Sequence, residues 1–341
     1  MHSVASLRNV ILKSHEIELV SSLYTVGVII AFLCGTKSYT ILFVLPITIL
    51  IFNSYHFVFI LCGVFAYMSY SMLFIDVQIP QFITGLSDKL CSFIDGIPMH
   101  NTGLVKAFLQ GDKSDLDSTV IKAFRASGAS HLLALSGLHM GIIYAVIAAI
   151  IKPMKNHYIR FSIIVFISLV FTLMTGARPS IVRAFLFITV SEIYHLQNKH
   201  APLSKTLSIA LLIQLIMNPS YIESIGFQLS YSAVLGIMVL CPVFEKMVNF
   251  KGFMQKLWSL ISVSIACQIF TAPLAWYYFH TFPKYFLLTN LIAIPLTTAF
   301  MVMSIIVIVL SVIGVCPIYL CMFTDDIGDV LLYSLKIIEM L

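Results

Sequence analysis

The feature that most constrains the fold of this chain is a succession of apolar runs, most of them about long enough to cross a bilayer. With 60% hydrophobic and 10% charged residues among 341, the chain has more apolar surface than a soluble domain can bury. We therefore predict an all-α polytopic integral membrane protein, a bundle of about ten or eleven transmembrane helices. The runs begin near Leu19, Thr40 and Tyr55 and continue near 131–151, 159–176, 180–197, 205–217, 226–244, 257–279 and 285–315.

Two places in this series are less regular. Pro295 lies inside the last long run, and because proline removes a helical hydrogen bond, a kink or a broken helix is expected there. The final segment, 327–341, is short and carries Lys336 and Glu339. It is expected either to span marginally or to lie at the membrane interface.

Between the third and fourth runs the chain becomes polar, with charges of alternating sign. Apolar residues at helical spacing, such as Phe82, Leu86 and Phe93, predict an amphipathic helix lying against the membrane or the bundle. This divides the chain into a three-helix membrane unit, 1–75, an amphipathic linker, 76–127, and a transmembrane domain, 128–341.

The basic residues of the short loops predict the orientation. With a cytoplasmic N-terminus, ten basic residues fall on the inside and three on the outside, as the positive-inside rule requires. The linker 76–127 is then extracytoplasmic. The inside set is Arg8, Lys13, Lys152, Lys155, Arg160, Lys199, Lys205, Lys246, Lys251 and Lys256, and the outside set is Lys37, Arg178 and Lys284.

The stretch GASHLLALSGLHMG, residues 128–141, carries more polar groups than a plain span needs, among them His131, Ser136 and His139. The two histidines are eight positions apart, about 12 Å along a helix, too far to bind one metal together. Ser136 and His139 share a helix face but lie outside a nucleophile-elbow sequence, and no aspartate in the spans can orient the histidine. We therefore predict structural or channel-lining roles, with no enzymatic activity, no metal and no cofactor.

Other polar side chains recur at membrane depth in later runs. Arg183, Gln228 and Gln268 are large polar groups whose burial in lipid costs several kcal/mol unless they are partnered. A water-filled or substrate-bearing cavity would provide that partner, and helix-to-helix hydrogen bonding is the alternative. The seven cysteines show no metal-binding or redox spacing and are expected to pack as small apolar residues.

Four sequence blocks, in the same order, resemble the ComEC family of competence proteins. Gly111 and Asp112 precede the block HLLALSGLH, 131–139; TGARPSIVRA follows at 175–184, then NPSYIESIGFQLSYSAVLG at 218–236, and finally NLIAIP, which begins at Asn290. The family carries single-stranded DNA across the inner membrane during transformation. The resemblance implies a multi-pass inner-membrane protein with a channel or gate lined by His131, Ser136, His139, Arg183, Gln228, Gln268 and Asn290.

This sequence departs from the family in two respects. We expect it to lack the OB-like domain and the metallo-β-lactamase-like domain of larger members, so the resemblance covers the transmembrane core alone. The expected partners are single-stranded DNA, membrane lipid, a cytoplasmic motor or helicase, a separate nuclease and further copies of the chain. The motor is expected because no phosphate-binding loop for ATP occurs in the sequence. A small-solute or lipid transporter, or a non-transporting remnant, are the alternatives.

Overall fold

The structure, a computed structural model, describes residues 14–34, 81–248, 250–280 and 284–340. These residues form helices and connecting turns, and no strand occurs among them. The helices are α1 (Ser14–Cys34), α2 (Gln81–Asp95), α3 (Thr102–Leu109), α4 (Ser118–Ala126), α5 (Ser130–Leu133), α6 (Gly137–Ile150), α7 (His157–Met174), α8 (Pro179–Leu196), α9 (Leu203–Met217), α10 (Ile225–Met247), α11 (Phe253–Phe279), α12 (Phe286–Val312) and α13 (Ile318–Met340), with a 3-10 turn at Pro219–Glu223.

Four helices, α7, α10, α11 and α12, are long and apolar enough to cross a membrane within the described ranges. Part of α1 and the whole of α6 and α9 are shorter apolar helical segments. The chain is therefore an all-α membrane protein, as the apolar runs predict. Of the three predicted N-terminal runs, the two that begin near Thr40 and Tyr55 lie outside the described residues, and the predicted domain boundaries stay a prediction.

The chain divides into two compact units, one of residues 1–78 and 186–231 and the other of residues 79–185 and 232–341. In the first unit α1 packs against α9. The Ser21 hydroxyl donates to the Ser208 carbonyl at 2.9 Å, and the buried Tyr231 hydroxyl donates to Gln214 at 2.7 Å. These hydrogen bonds between polar groups hold apolar helices together in the way that membrane bundles commonly use.

The second unit is built around α3, a helix of only eight residues. Phe108 is fully buried, and its ring lies 6.2 Å from that of Phe124 on α4 and 6.0 Å from that of Phe300 on α12. Leu331 and Leu335 of α13 complete the same apolar core. The polar linker predicted from the sequence thus contains a helix that is buried among the others, flanked by α2 and α4, whose residues are more exposed.

Three details of the predicted spans are wrong. The run expected at 131–151 is broken: Ala134 and Ser136 have extended backbone conformations, which separate α5 from α6. At Pro295 the expected broken helix is wrong, because α12 is one continuous helix through it, and the alternative of a kink stays a prediction. The last helix begins at Ile318 rather than near residue 327 and has 23 residues.

Candidate functional site

The break between α5 and α6 is stabilised by a reciprocal hydrogen-bonded cap. The Ser136 hydroxyl accepts the amide of Leu138 at 3.3 Å, and the Ser136 amide donates to His139 Nδ1 at 3.2 Å. This is a capping box in which histidine replaces the usual glutamate or glutamine. Since a backbone amide always donates, Nδ1 is the acceptor, and the neutral ring carries its hydrogen on Nε2. Ser136 and His139 therefore start α6 rather than sharing a face of one continuous helix.

His139 lies at the centre of the second unit. It is fully buried, and its ring lies 5.7 Å from the Phe108 ring of α3. Within the described residues, Nε2 makes no hydrogen bond although it is buried.

Arg183 on α8 approaches the same break. A Cβ atom at Gly137 would lie 3.3 Å from Arg183 Nη2, so the guanidinium lies directly against the first residue of α6. The positive end of a helix dipole and a guanidinium are thereby placed together. The charge of Arg183 also acts on the thiol of Cys267 on α11. Arg183 therefore adds positive charge at the start of α6.

The structure brings three of the seven predicted lining residues together: Ser136, His139 and Arg183. His131 on α5 is exposed and lies five residues before the cap. Gln268 is half-buried on α11, one residue after Cys267.

The remaining two predicted lining residues are placed differently. Asn290 on α12 has a buried side-chain oxygen without a hydrogen bond in the described part of the chain. Gln228 belongs to the other unit, where its amide donates to the Ile222 carbonyl at 2.7 Å. The lining role of all seven stays a prediction.

Sequence reasoning missed a second polar cluster, which ties α3 to α13. The Asp325 carboxylate accepts the amides of His100 and Asn101 at 3.1 and 3.0 Å, immediately before α3. His100 also contacts Asp329, at 3.0 Å. We call these four residues the α3–α13 clamp. A signal was present in the sequence, since Asp325 and Asp329 lie four apart on one helix face, but nothing in it identified the partner 224 residues away.

Lys106 is the one charged residue of α3, and its side chain is buried. Its ammonium donates to Asp95 at 2.6 Å and also contacts Asp115. Burial alone would lower the pKa of Lys106, but the bonds to Asp115 and Asp95 outweigh it and raise that pKa. A paired charge of this kind allows an otherwise apolar helix to be buried.

Among the described residues, no group of three or more His, Cys, Asp or Glu side chains is arranged to hold a metal ion. The His100 ring instead contacts the carboxylates of Asp325 and Asp329. The expectation that the chain uses no metal and no cofactor stays a prediction.

The fold and this site belong to a known class of membrane protein. The family model described as "Competence protein" matches residues 108–341, which include the capped break, Arg183 and α13. The chain therefore belongs to the competence protein family, and the resemblance to ComEC proteins is confirmed.

Two curated relatives show how much of such proteins the chain covers. It is 28% identical over 218 residues to ComE operon protein 3 of Bacillus subtilis (strain 168), across 63% of this chain and 27% of that protein. It is 25% identical over 179 residues to an uncharacterized protein of Aquifex aeolicus (strain VF5), across 52% of this chain and 43% of that protein. The chain thus spans less than half the length of either relative. A search of solved structures found no match.

Proposed function

We propose that this chain is a membrane channel component that imports single-stranded DNA during natural transformation. The observation that carries the proposal is the position of Arg183 against Gly137, at the capped start of α6, in a member of the competence protein family. A cation at membrane depth costs several kcal/mol and is retained where it serves a substrate or ion path. A channel for DNA needs such a cation, because every nucleotide carries a negatively charged phosphate.

The chemistry of the site favours conduction over catalysis. The Ser136 hydroxyl is engaged in the cap, 3.1 Å from His139 Nδ1 and 3.3 Å from the Leu138 amide. Because His139 Nδ1 accepts the Ser136 amide, it serves the backbone and not an incoming nucleophile. We therefore assign no enzymatic activity to the chain, and Arg183 stabilises phosphate charge as the strand passes.

The proposal includes a location and partners. The chain lies in the inner membrane with a cytoplasmic N-terminus, because that orientation places ten basic loop residues inside against three outside. A cytoplasmic motor or helicase supplies the energy, and a separate nuclease supplies the single strand. Homo-oligomerisation would allow several copies to line one path.

Uptake of labelled DNA tests the proposal directly. In a transformable host lacking the chromosomal copy of the gene, we expect labelled DNA to remain outside the cell and accessible to added nuclease. Complementation should restore protected label, and the label first recovered from the cytoplasm should be digested by a single-strand-specific nuclease. Unchanged transformation in the deletion strain would refute the proposal, and double-stranded label inside the cell would refute its single-strand component.

Substitutions that remove or keep the positive charge of Arg183 test its role. Arg183→Leu should abolish uptake, and Arg183→Lys should retain part of it, because lysine keeps the charge but not the planar fork of donors. Membrane abundance is measured for both variants. If Arg183→Leu reduces abundance as much as uptake, the residue serves packing and not conduction.

One observation favours the runner-up function, transport of lipid. An open apolar groove of about 590 Å³ lies along α12 beside Pro295, between Leu260 of α11 and Phe323 of α13. A groove of this volume is within the range of small-molecule sites. Lipid exchange between labelled vesicles and proteoliposomes would detect this activity, and Ala299→Trp, which fills the groove, should then block it.

A further inference from the structure

Three basic side chains, Lys113, Arg125 and Arg178, lie near one another at the turn that follows α3. Arg178 Nη2 donates to the Gly111 carbonyl at 3.5 Å, which places it beside the turn that contains Lys113. Burial and then the positive charges of Arg178 and Arg125 lower the pKa of Lys113. Arg125 and Arg178 are exposed, and Lys113 is half-buried. We call these three residues the basic cluster.

The carboxylates beside this cluster are engaged elsewhere. Asp112 accepts the Ser114 amide at 3.0 Å, and Asp115 pairs with Lys106. In the described ranges, no ion pair joins any of the three basic residues to a carboxylate. Three like charges so placed repel one another, and an external anion would relieve that repulsion.

The backbone holds Arg178 in place before any ligand arrives. Gly111 has a φ of 74°, a conformation that favours glycine. A Cβ atom there would lie 2.9 Å from Arg178 Nη1 and 2.6 Å from Leu135 Cδ1. The turn therefore leaves room for a guanidinium and orients it, so that less side-chain entropy is lost on binding.

We propose that Lys113, Arg125 and Arg178 bind phosphodiester groups of a single DNA strand before it reaches Arg183. The inference rests on the proposed function and adds an entry site to it. The phosphates of a lipid headgroup have the same chemistry. A strand is favoured because Arg178 and Gly111 adjoin Leu135, the residue before the Ser136 cap, which makes the cluster continuous with the break where Arg183 lies.

Binding of a fluorescent 20-nucleotide oligothymidine to the full chain in zwitterionic nanodiscs tests this site. The variant Lys113→Gln/Arg125→Gln/Arg178→Gln should bind at least about tenfold more weakly at low salt. A plot of the logarithm of the association constant against the logarithm of the salt concentration has a negative slope. Loss of three phosphate contacts should also reduce the magnitude of that slope by about 2. An uncharged methylphosphonate oligonucleotide of the same sequence should not bind the wild type.

A matched control has the same change in net charge. Lys89→Gln/Lys122→Gln/Lys284→Gln removes three exposed basic groups of the same unit, none of which acts on Lys113, and it should bind like the wild type. Equal weakening in the two triple variants, or no weakening in the cluster variant, would overturn the inference. So would a cluster variant that loses its association with anionic phospholipid but still binds the oligonucleotide, since the site would then hold a headgroup.

The two proposals fail in different ways. If deletion of the gene leaves transformation unchanged while the cluster variant still loses oligonucleotide binding, the proposed function fails and the binding site remains. If deletion abolishes transformation but the cluster variant binds and transforms normally, the basic cluster is not the entry site and the proposed function remains.

Discussion

Replacing Asp325 by alanine should weaken the attachment of α3 to α13 more than any other single change in the α3–α13 clamp. The carboxylate is buried, and it accepts the amides of His100 and Asn101 at 3.1 and 3.0 Å. Asn101 is itself buried, so its amide would be left without a partner, whereas His100 is exposed and its amide can turn to water.

The magnitude follows from those two amides. A hydrogen bond to a charged group contributes about 1.5–3 kcal/mol, and a stranded buried donor costs about 1–3 kcal/mol. The hydrogen bond from the amide of the exposed His100 adds less than about 1 kcal/mol, because solvent screens it. We therefore expect Asp325→Ala to lower the free energy of unfolding by about 2–4 kcal/mol, or about 30- to 900-fold in the unfolding equilibrium.

Two measurements on purified protein in micelles check this value. Equilibrium unfolding gives the global loss, and hydrogen exchange read by mass spectrometry gives the local loss at the first turn of α3. Asp325→Asn keeps one acceptor oxygen and should lose about half as much. The adjacent Asp326 is exposed, so Asp326→Ala serves as the control and should change stability by less than about 0.5 kcal/mol. If Asp325→Ala matches this control in both measurements, the clamp does not hold α3.

Three further predictions concern the clamp, the cap and the turn after α3. His100→Gln should destabilise most below about pH 6.5 and progressively less as the pH rises, because the bond to Asp329 raises the folded-state pKa of His100; a pH-independent difference in melting temperature would contradict this. Ser136→Ala should lose about 0.5–2 kcal/mol and Ser136→Thr little, since threonine keeps the capping hydroxyl; equal exchange rates at the start of α6 in both variants would count against the cap. Gly111→Ala should destabilise by about 1–3 kcal/mol more than Gly176→Ala, because both have positive φ but only Gly111 has crowded surroundings; equal melting temperatures would refute the crowding.

The sequence was sufficient to predict the long helices, because their signal is local. The run from Phe286 to Val312 has no charged residue, and it forms one helix in the structure. The same locality explains the error at Pro295, since whether a helix continues through proline depends on neighbours that can satisfy the freed carbonyl.

The break at Ala134–Ser136 was harder to predict because its residues are compatible with a helix. Leu133, Ala134 and Leu135 have good helix propensity, and the signal for a new start was a capping box with histidine at its third helical position. A pattern search for glutamate or glutamine there would miss it. Of the predicted lining residues, Ser136, His139 and Arg183 come together in the structure. The approach of Arg183 to Gly137 could not be predicted from the sequence, because the two residues lie on different helices.

Burial of α3 could not be read from the sequence, because the charges around it suggest an aqueous segment. The structure neutralises Lys106 with Asp95 and Asp115, two residues outside the helix itself. Its apolar partners on α12 and α13 are far along the chain. Hydrophobic periodicity within eight residues cannot distinguish a surface helix from a buried one.

The long sequence separation within the α3–α13 clamp also has a consequence for synthesis. Asn101 leaves the ribosome 224 residues before Asp325, a delay of about 11–45 s at typical rates of translation. During that time Phe108 and its apolar neighbours have none of the α12 and α13 side chains that later cover them. The apolar face of newly made α3 must therefore be covered by other groups, such as lipid or a chaperone, until α12 and α13 have been made and pack against it.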